Sequence, residues 1–204
     1  MVEQREFLVT MTTQVPEGVS EEEITGVRAR EAENTRRLAE QGRVLRLWRP
    51  PLAPGEWRSL GLFRAADEDD LEKVLATMPL RVWRDDEVTP LGEHPNDAGP
   101  GVVALRPEQA GFLTTFDARI PPGAEPDLVA ERYRHEARRA AELAAAGHLL
   151  RLWRLPGDSR TLGHWQATGG EQLADLLASL PLADWLEVET VALTRHPSDP
   201  ATAS

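Results

Sequence analysis

Residues 42–49 read GRVLRLWR, and residues 147–154 read GHLLRLWR. Gly42 matches Gly147, Leu45 matches Leu150, and Arg46-Leu47-Trp48-Arg49 matches Arg151-Leu152-Trp153-Arg154 unchanged. The offset of 105 holds upstream, placing Phe7 on Phe112, Pro16 on Pro121, Gly18 on Gly123 and Glu31 on Glu136. Downstream it becomes 102, with Leu60-Gly61 on Leu162-Gly163, Pro79-Leu80 on Pro181-Leu182, Trp83 on Trp185 and His94-Pro95 on His196-Pro197. One three-residue deletion after Pro156 accounts for the change. A fixed period over nearly the whole chain marks a duplication. It divides the sequence into a first repeat over 1–97, a linker over 98–110 that opens with Gly and Pro, and a second repeat over 111–200, with a loose tail expected from 197.

Composition narrows the function classes. Hydrophobic residues at 41% supply a packed core. No apolar run approaches the ~18 residues that cross a bilayer. The opening MVEQREFLV lacks a basic region followed by an apolar stretch, so no secretory signal is read and a cytoplasmic protein is expected. The absence of cysteine excludes disulfides, thiolate metal sites and cysteine nucleophiles. A net charge of −11 argues against nucleic acid as a partner and provides no long-range pull on an anionic substrate, which local arginines must then hold. Matched tryptophans, Trp48 with Trp153 and Trp83 with Trp185, are expected in the core.

Local patterns give the element order. EFLVTMTT (6–13) alternates as a strand. Ser20 with Glu23 resembles a capping box opening a helix to about Gln41, which Gly42 ends. VLRLWR (44–49) and RSLGLFRA (58–65) are strands around a proline-rich loop. Residues 67–78 form a helix with Leu71, Val74, Leu75 and Met78 on its apolar face, and a last strand near 86–92 is placed at an edge by Pro90. The second repeat follows suit. The order β-α-β-β-α-β is ferredoxin-like. One such unit covers only one sheet face with its helices, so the predicted fold class is α+β, two ferredoxin-like repeats packed sheet to sheet as an intrachain dimeric α+β barrel.

The first helix carries the most informative local feature. At about 100° per residue, Ile24, Val27, Thr35 and Leu38 form one stripe, with Glu31 near its middle and Arg28 at about +40°. In the second repeat Glu136 falls inside the stripe of Val129, Ala140 and Leu143, and Tyr133 stands where Arg28 does. A carboxylate in a buried stripe is costly unless paired, and its raised pKa suits a general base. Arg28 is placed to pair with Glu31 or to hold an anionic substrate beside it. The alternative is a structural salt bridge, and duplication copies either role.

Other candidates are weaker. The five histidines show no metal-binding spacing, and His94 and His196, in matched His-Pro pairs, read as turn residues. His164 stands where the first repeat has Leu62 and faces either a cavity or the surface. No phosphate-binding or nucleophile-elbow motif is present, which leaves cofactor-free chemistry if the chain is an enzyme.

The order of LWR, MPL/LPL and the closing HP, over both repeats, resembles the muconolactone Δ-isomerase family. The resemblance implies a ferredoxin-like α+β barrel that needs no cofactor. It also implies a proton shift on a butenolide bearing a carboxymethyl arm, within aromatic catabolism, and it allows a homo-oligomer of the fused barrel. The family's basic-x-x-Glu helix motif falls on Arg28 to Glu31, with arginine for lysine, and on Tyr133 to Glu136. The family's pocket tyrosine and asparagine fall on Trp57 and Ser59, and on Ser159 and Thr161. Neither copy keeps that pair, and the Pro50–Gly55 loop is longer than the family's, which bears on the substrate more than the fold.

Three readings follow. In the first, Glu31 takes a proton alpha to the lactone carbonyl system and returns it to the allylic carbon. Arg28 binds the carboxylate, Trp57 and Ser59 shape the pocket, and the second copy, lacking the arginine, is degenerate or differently selective. The second keeps the scaffold and moves a proton on another substrate, such as a polyketide-like intermediate in an isomerisation or cyclisation. The third is a non-catalytic duplicated binding domain, which an open cavity beside Glu31 counts against.

Overall fold

The computed structural model describes residues 4–157 and 159–202. The chain resolves into two compact units, one of Met1–Leu91 with Thr194–Ser204 and one of Gly92–Leu193.

In the first unit, β1 (Arg5–Thr13) is followed by α1 (Glu21–Glu40), β2 (Val44–Arg49), β3 (Arg58–Ala65), α2 (Glu68–Ala76), a 3-10 turn (Pro79–Trp83) and β4 (Arg84–Glu93). The strands lie in the order β4-β1-β3-β2, each pair antiparallel. This is the expected ferredoxin-like order. Ser20 caps α1 by accepting the Glu23 N–H at 3.2 Å, and Gly42 leaves the helix at φ +69, a conformation only glycine adopts without strain. Leu38 of α1 and Leu71, Val74 and Leu75 of α2 pack on Phe7, Val9, Met11 and Phe63 of the sheet. Pro90, which lacks an N–H, lies on β4 opposite Phe7 of β1; the edge position expected for this strand is corrected, because β4 goes on to pair with β6 through Gly92 and Glu93.

The second unit repeats the plan with β5 (Ala110–Ala118), α3 (Pro126–Ala145), β6 (Leu149–Arg154), β7 (Arg160–Ala167), α4 (Gly170–Ala178) and β8 (Leu186–Arg195), in the order β8-β5-β7-β6. Its core gathers Phe112, Phe116, Leu143, Leu152, Trp165 and Leu173. Trp165 occupies the place of Phe63 and brings an indole N–H, which donates to the fully buried Thr114 hydroxyl at 2.8 Å, where the first repeat has Val9. Gly163 leaves room for that ring, because a Cβ there would lie 2.4 Å from the indole nitrogen.

In each copy the ladder shifts register just before RLWR, between Val44 and Arg46 and between Leu149 and Arg151. From there the pairing runs in step, so adjacent side chains point to opposite faces. Leu47 and Trp48, like Leu152 and Trp153, are all buried, so the strand is covered on both faces there.

β4 and β8 each run past the end of their own unit. Gly92 and Glu93 belong to the second unit, where they pair with Arg154 and Trp153; Thr194 and Arg195 belong to the first, where they pair with Arg49 and Trp48. The residues that follow fasten these ends. Asp199 receives the Arg46 guanidinium at 3.0 Å and the Leu47 N–H at 3.1 Å, and Asp97 receives Arg151 at 3.0 Å and the Leu152 N–H at 2.8 Å. The loose tail expected from 197 is thus corrected. Asp199 is only 2% exposed and the chain is held there, while residues 203 and 204 lie outside the described residues. Trp83 also departs from expectation: Trp48, Trp153 and Trp185 are buried, whereas Trp83 stays partly exposed on its 3-10 turn, its carbonyl accepting the Gln14 N–H at 2.7 Å.

Candidate active site

Each unit holds a cavity beneath its long helix. That of the first unit, about 460 Å³, is lined by Arg28, Glu31, Trp57 and Ser59, together with Arg49, Arg84 and His196. That of the second, about 520 Å³, is lined by Tyr133, Glu136, Ser159 and Thr161, together with Arg154, Arg160, Trp165 and His94. The residues singled out from the sequence therefore assemble into two separate groups of four. Both volumes suit a small molecule.

The two glutamates are held alike at one point. Glu31 accepts the N–H of Leu80 at 2.9 Å, and Glu136 accepts that of Leu182 at 3.0 Å. These leucines follow Pro79 and Pro181, so the repeated Pro-Leu turn presents a backbone donor to the helix carboxylate.

Beyond that point they differ. Arg84 of β4 donates to Glu31 at 3.2 Å and is itself gripped by Asp86 at 2.6 Å; the Arg84 and Asp86 side chains are 2% and 1% exposed. The second repeat has Leu186 and Val188 at these positions, and among the described residues no ion pair reaches Glu136. Burial pushes the Glu31 carboxyl above its usual range, while the Leu80 N–H and Arg84 pull it back and Asp86 adds to the rise. Burial raises Glu136 too, opposed by the Leu182 N–H alone.

Arg28 was expected either to pair with Glu31 or to hold an anionic substrate beside it, and the structure corrects the first of these. The Arg28 guanidinium lies over the Trp57 ring at 4.2 Å from its centroid, a cation–π contact that occupies its face, and Arg84 bonds the carboxylate instead. Arg84 carried one sequence signal, a basic residue directly after the matched Trp83 with an aspartate two further on. It has no counterpart in the second repeat and so fell outside the repeat comparison. Arg154 and Arg160 were also missed as cavity residues. They mean that the second cavity does not lack arginine, despite Tyr133 standing in place of Arg28. His164, for which a cavity was considered, is buried at 4% exposure and lines neither of these two.

The family model for muconolactone delta-isomerase matches residues 5–97 and again residues 111–199. The muconolactone Δ-isomerase of Rhodococcus opacus is 27% identical over 88 residues, which is 43% of this chain and 95% of that protein. The Pseudomonas aeruginosa enzyme is 31% identical over 88 residues, 43% of this chain and 91% of the relative. Each relative thus spans nearly its full length within less than half of this chain, as a duplicated unit requires. Chlorite dismutase from Candidatus Nitrospira defluvii, in complex with imidazole, superposes at a TM-score of 0.60 with 9% identity, covering 93% of this chain and 91% of that one. At that identity the likeness is one of fold alone, and it bears out the α+β, ferredoxin-like class. With the model matching both repeats, the chain belongs to the muconolactone delta-isomerase family and carries its unit twice in tandem.

Proposed function

We propose that this protein is a cofactor-free isomerase that moves a proton on a small unsaturated lactone bearing a carboxylate, with Glu136 and Glu31 as the general bases of separate cavities. The observation that carries this reading is the pairing, in each cavity, of a half-buried glutamate held by one backbone N–H with at least one cavity-lining arginine. The carboxylate removes a ring proton conjugated to the lactone carbonyl, so the C–H electron pair passes into a dienolate. The resulting carboxylic acid returns the proton to the other end of the allylic system. Arg154 and Arg160 hold the substrate carboxylate in the second cavity, and Arg49 with Arg28 does so in the first. Trp57, Ser59, Tyr133, Ser159 and Thr161 shape the walls.

In this reading the second copy ranks first, the reverse of the order expected from the sequence. Glu136 is taken as the main base, because burial raises its pKa, no ion pair reaches it among the described residues, and Arg154 and Arg160 line its cavity. Glu31 is taken as the lesser base, because Arg84 bonds its carboxylate and favours the charged form against the rise that burial gives. Open space beside both glutamates speaks against a purely structural role. The cytoplasmic location, the place in aromatic catabolism and a homo-oligomeric assembly belong to the same proposal.

A second reading keeps the proton transfer and changes the substrate. It draws on the altered wall residues and on Arg28 being stacked on Trp57. The test is to incubate the purified protein with muconolactone in D2O and follow the ring by NMR. Double-bond migration is expected. A folded protein that neither moves the double bond nor exchanges a ring proton contradicts the proposal.

A further inference from the structure

The closing motif of each repeat is longer than His-Pro. His94-Pro95-Asn96-Asp97 and His196-Pro197-Ser198-Asp199 share a His-Pro-x-Asp pattern, and both fold the same way. The Asp N–H donates to the His carbonyl, at 3.0 Å from Asp97 and 2.9 Å from Asp199. The N–H of the intervening residue donates to the His ring, Asn96 to His94 Nδ1 at 3.2 Å and Ser198 to His196 Nδ1 at 3.1 Å. The Asp side chain then anchors the turn on the RLWR strand, Asp97 on Arg151 and Asp199 on Arg46. The histidine is therefore fixed in place, and it lines the cavity that holds the glutamate: His94 beside Glu136, His196 beside Glu31. In each case the histidine comes from the tail of one repeat and the glutamate from the helix of the other.

The ring's protonation follows from these contacts. A nitrogen that accepts an N–H carries no proton, so the neutral ring bears its hydrogen on Nε2. Burial lowers the pKa of His94 below its ordinary value, with Arg154 adding to the effect and Asp97 opposing it; burial and then Arg49 take His196 down to about 4 against the pull of Asp199. Both rings are thus uncharged near neutral pH, with a single fixed donor.

We propose that His94 and His196 are catalytic residues that donate a hydrogen bond from Nε2 to the substrate's carbonyl oxygen, where negative charge collects as the glutamate takes the proton. This rests on the proton-shift reading above. No proton leaves the imidazole. The C–H pair moves onto the carbonyl oxygen, the Nε2–H stabilises it, and the charge returns to the carboxylate when the proton is handed back. A donor aimed at developing oxyanion charge is typically worth about 10²–10³-fold in turnover.

Two double variants separate this role from a turn role. His94→Asn with His196→Asn keeps an acceptor where Nδ1 sits, so the turn survives, and removes the Nε2 donor. His94→Gln with His196→Gln places an amide N–H near Nε2 and gives up the turn acceptor. The probe is tetronic acid, whose anion is a ring-bound enolate, titrated by calorimetry alongside melting curves and muconolactone turnover. The Asn pair should bind tetronate about tenfold or more weakly, since a hydrogen bond to a charged group contributes ~1.5–3 kcal/mol. It should also lose about 10²-fold in kcat with KM for muconolactone little changed, and melt like wild type. The Gln pair should melt lower yet keep most of the tetronate affinity. Wild-type tetronate affinity in the Asn pair, or no tetronate binding by the wild-type protein, overturns the proposal. Lack of muconolactone turnover by the wild type instead counts against the substrate reading, and the tetronate comparison is unaffected.

Discussion

Glu136 accepts one backbone N–H and no arginine among the described contacts, whereas Glu31 also takes a guanidinium N–H from Arg84. A carboxyl whose folded pKa lies above its unfolded value contributes most to stability below the unfolded pKa and loses that contribution as pH rises through the folded pKa. Burying the Glu136 carboxylate is therefore a burden on the fold that grows as pH rises above the ordinary carboxyl range. Glu136→Gln, which can still accept from Leu182, should melt higher than wild type at pH 7 and show no such gain at pH 4, read by calorimetry. An equal or lower melting point at pH 7 counts against a desolvated carboxylate there. Glu31→Gln should gain less, because it gives up the Arg84 bond. His196 has the opposite sign. Its folded pKa of about 4 lies below the ordinary 6.5, so its contribution is intact above 6.5 and is lost as pH falls from there through 4. His196→Gln should flatten part of the acid slope of stability between those limits, and an unchanged slope argues that the ring is not desolvated.

At the scale of elements, repeat 2 accommodates a larger aromatic by a change at a second position. Trp165 stands where repeat 1 has Phe63, and Thr114 where it has Val9, so the indole N–H meets a hydroxyl in a fully buried site. Thr114→Val keeps the shape and strands the donor, which costs about 1–3 kcal/mol by denaturant melts; a neutral effect would mean that the indole finds another acceptor. Most of the elements were legible in sequence because their causes are local. Ser20 caps, Gly42 ends a helix and the 6–13 run alternates. The register shift just before RLWR and the partner of Glu31 were not legible for the converse reason. The shift arises in strand pairing, and Arg84 reaches Glu31 across 53 residues of chain. Asp97 and Asp199 were visible as a matched pair 102 apart, but only the fold reveals that they grip the RLWR strand.

On the scale of the whole molecule, the sequence repeats and the compact units are not the same residues, since each unit is completed by the tail of the other repeat. Periodicity records descent, while contacts record where the chain goes after β4 and β8. Shortening the chain after Arg195 removes His196 and the Asp199 anchor from the first unit and leaves the residues of the second cavity in place. The shortened protein should keep the Glu136-dependent share of turnover, and adding Glu31→Gln to it should cost little more, because both changes disable one site. Additive losses would mean that the tail acts elsewhere. The most direct measurement is kcat for muconolactone isomerisation by the wild type, Glu31→Gln, Glu136→Gln and the double variant, with circular dichroism confirming each fold. The account predicts a loss of about 10²–10⁴-fold in the double variant, the range for removing a general base, with Glu136→Gln taking the larger single share. A folded double variant that turns over at near the wild-type rate would contradict it.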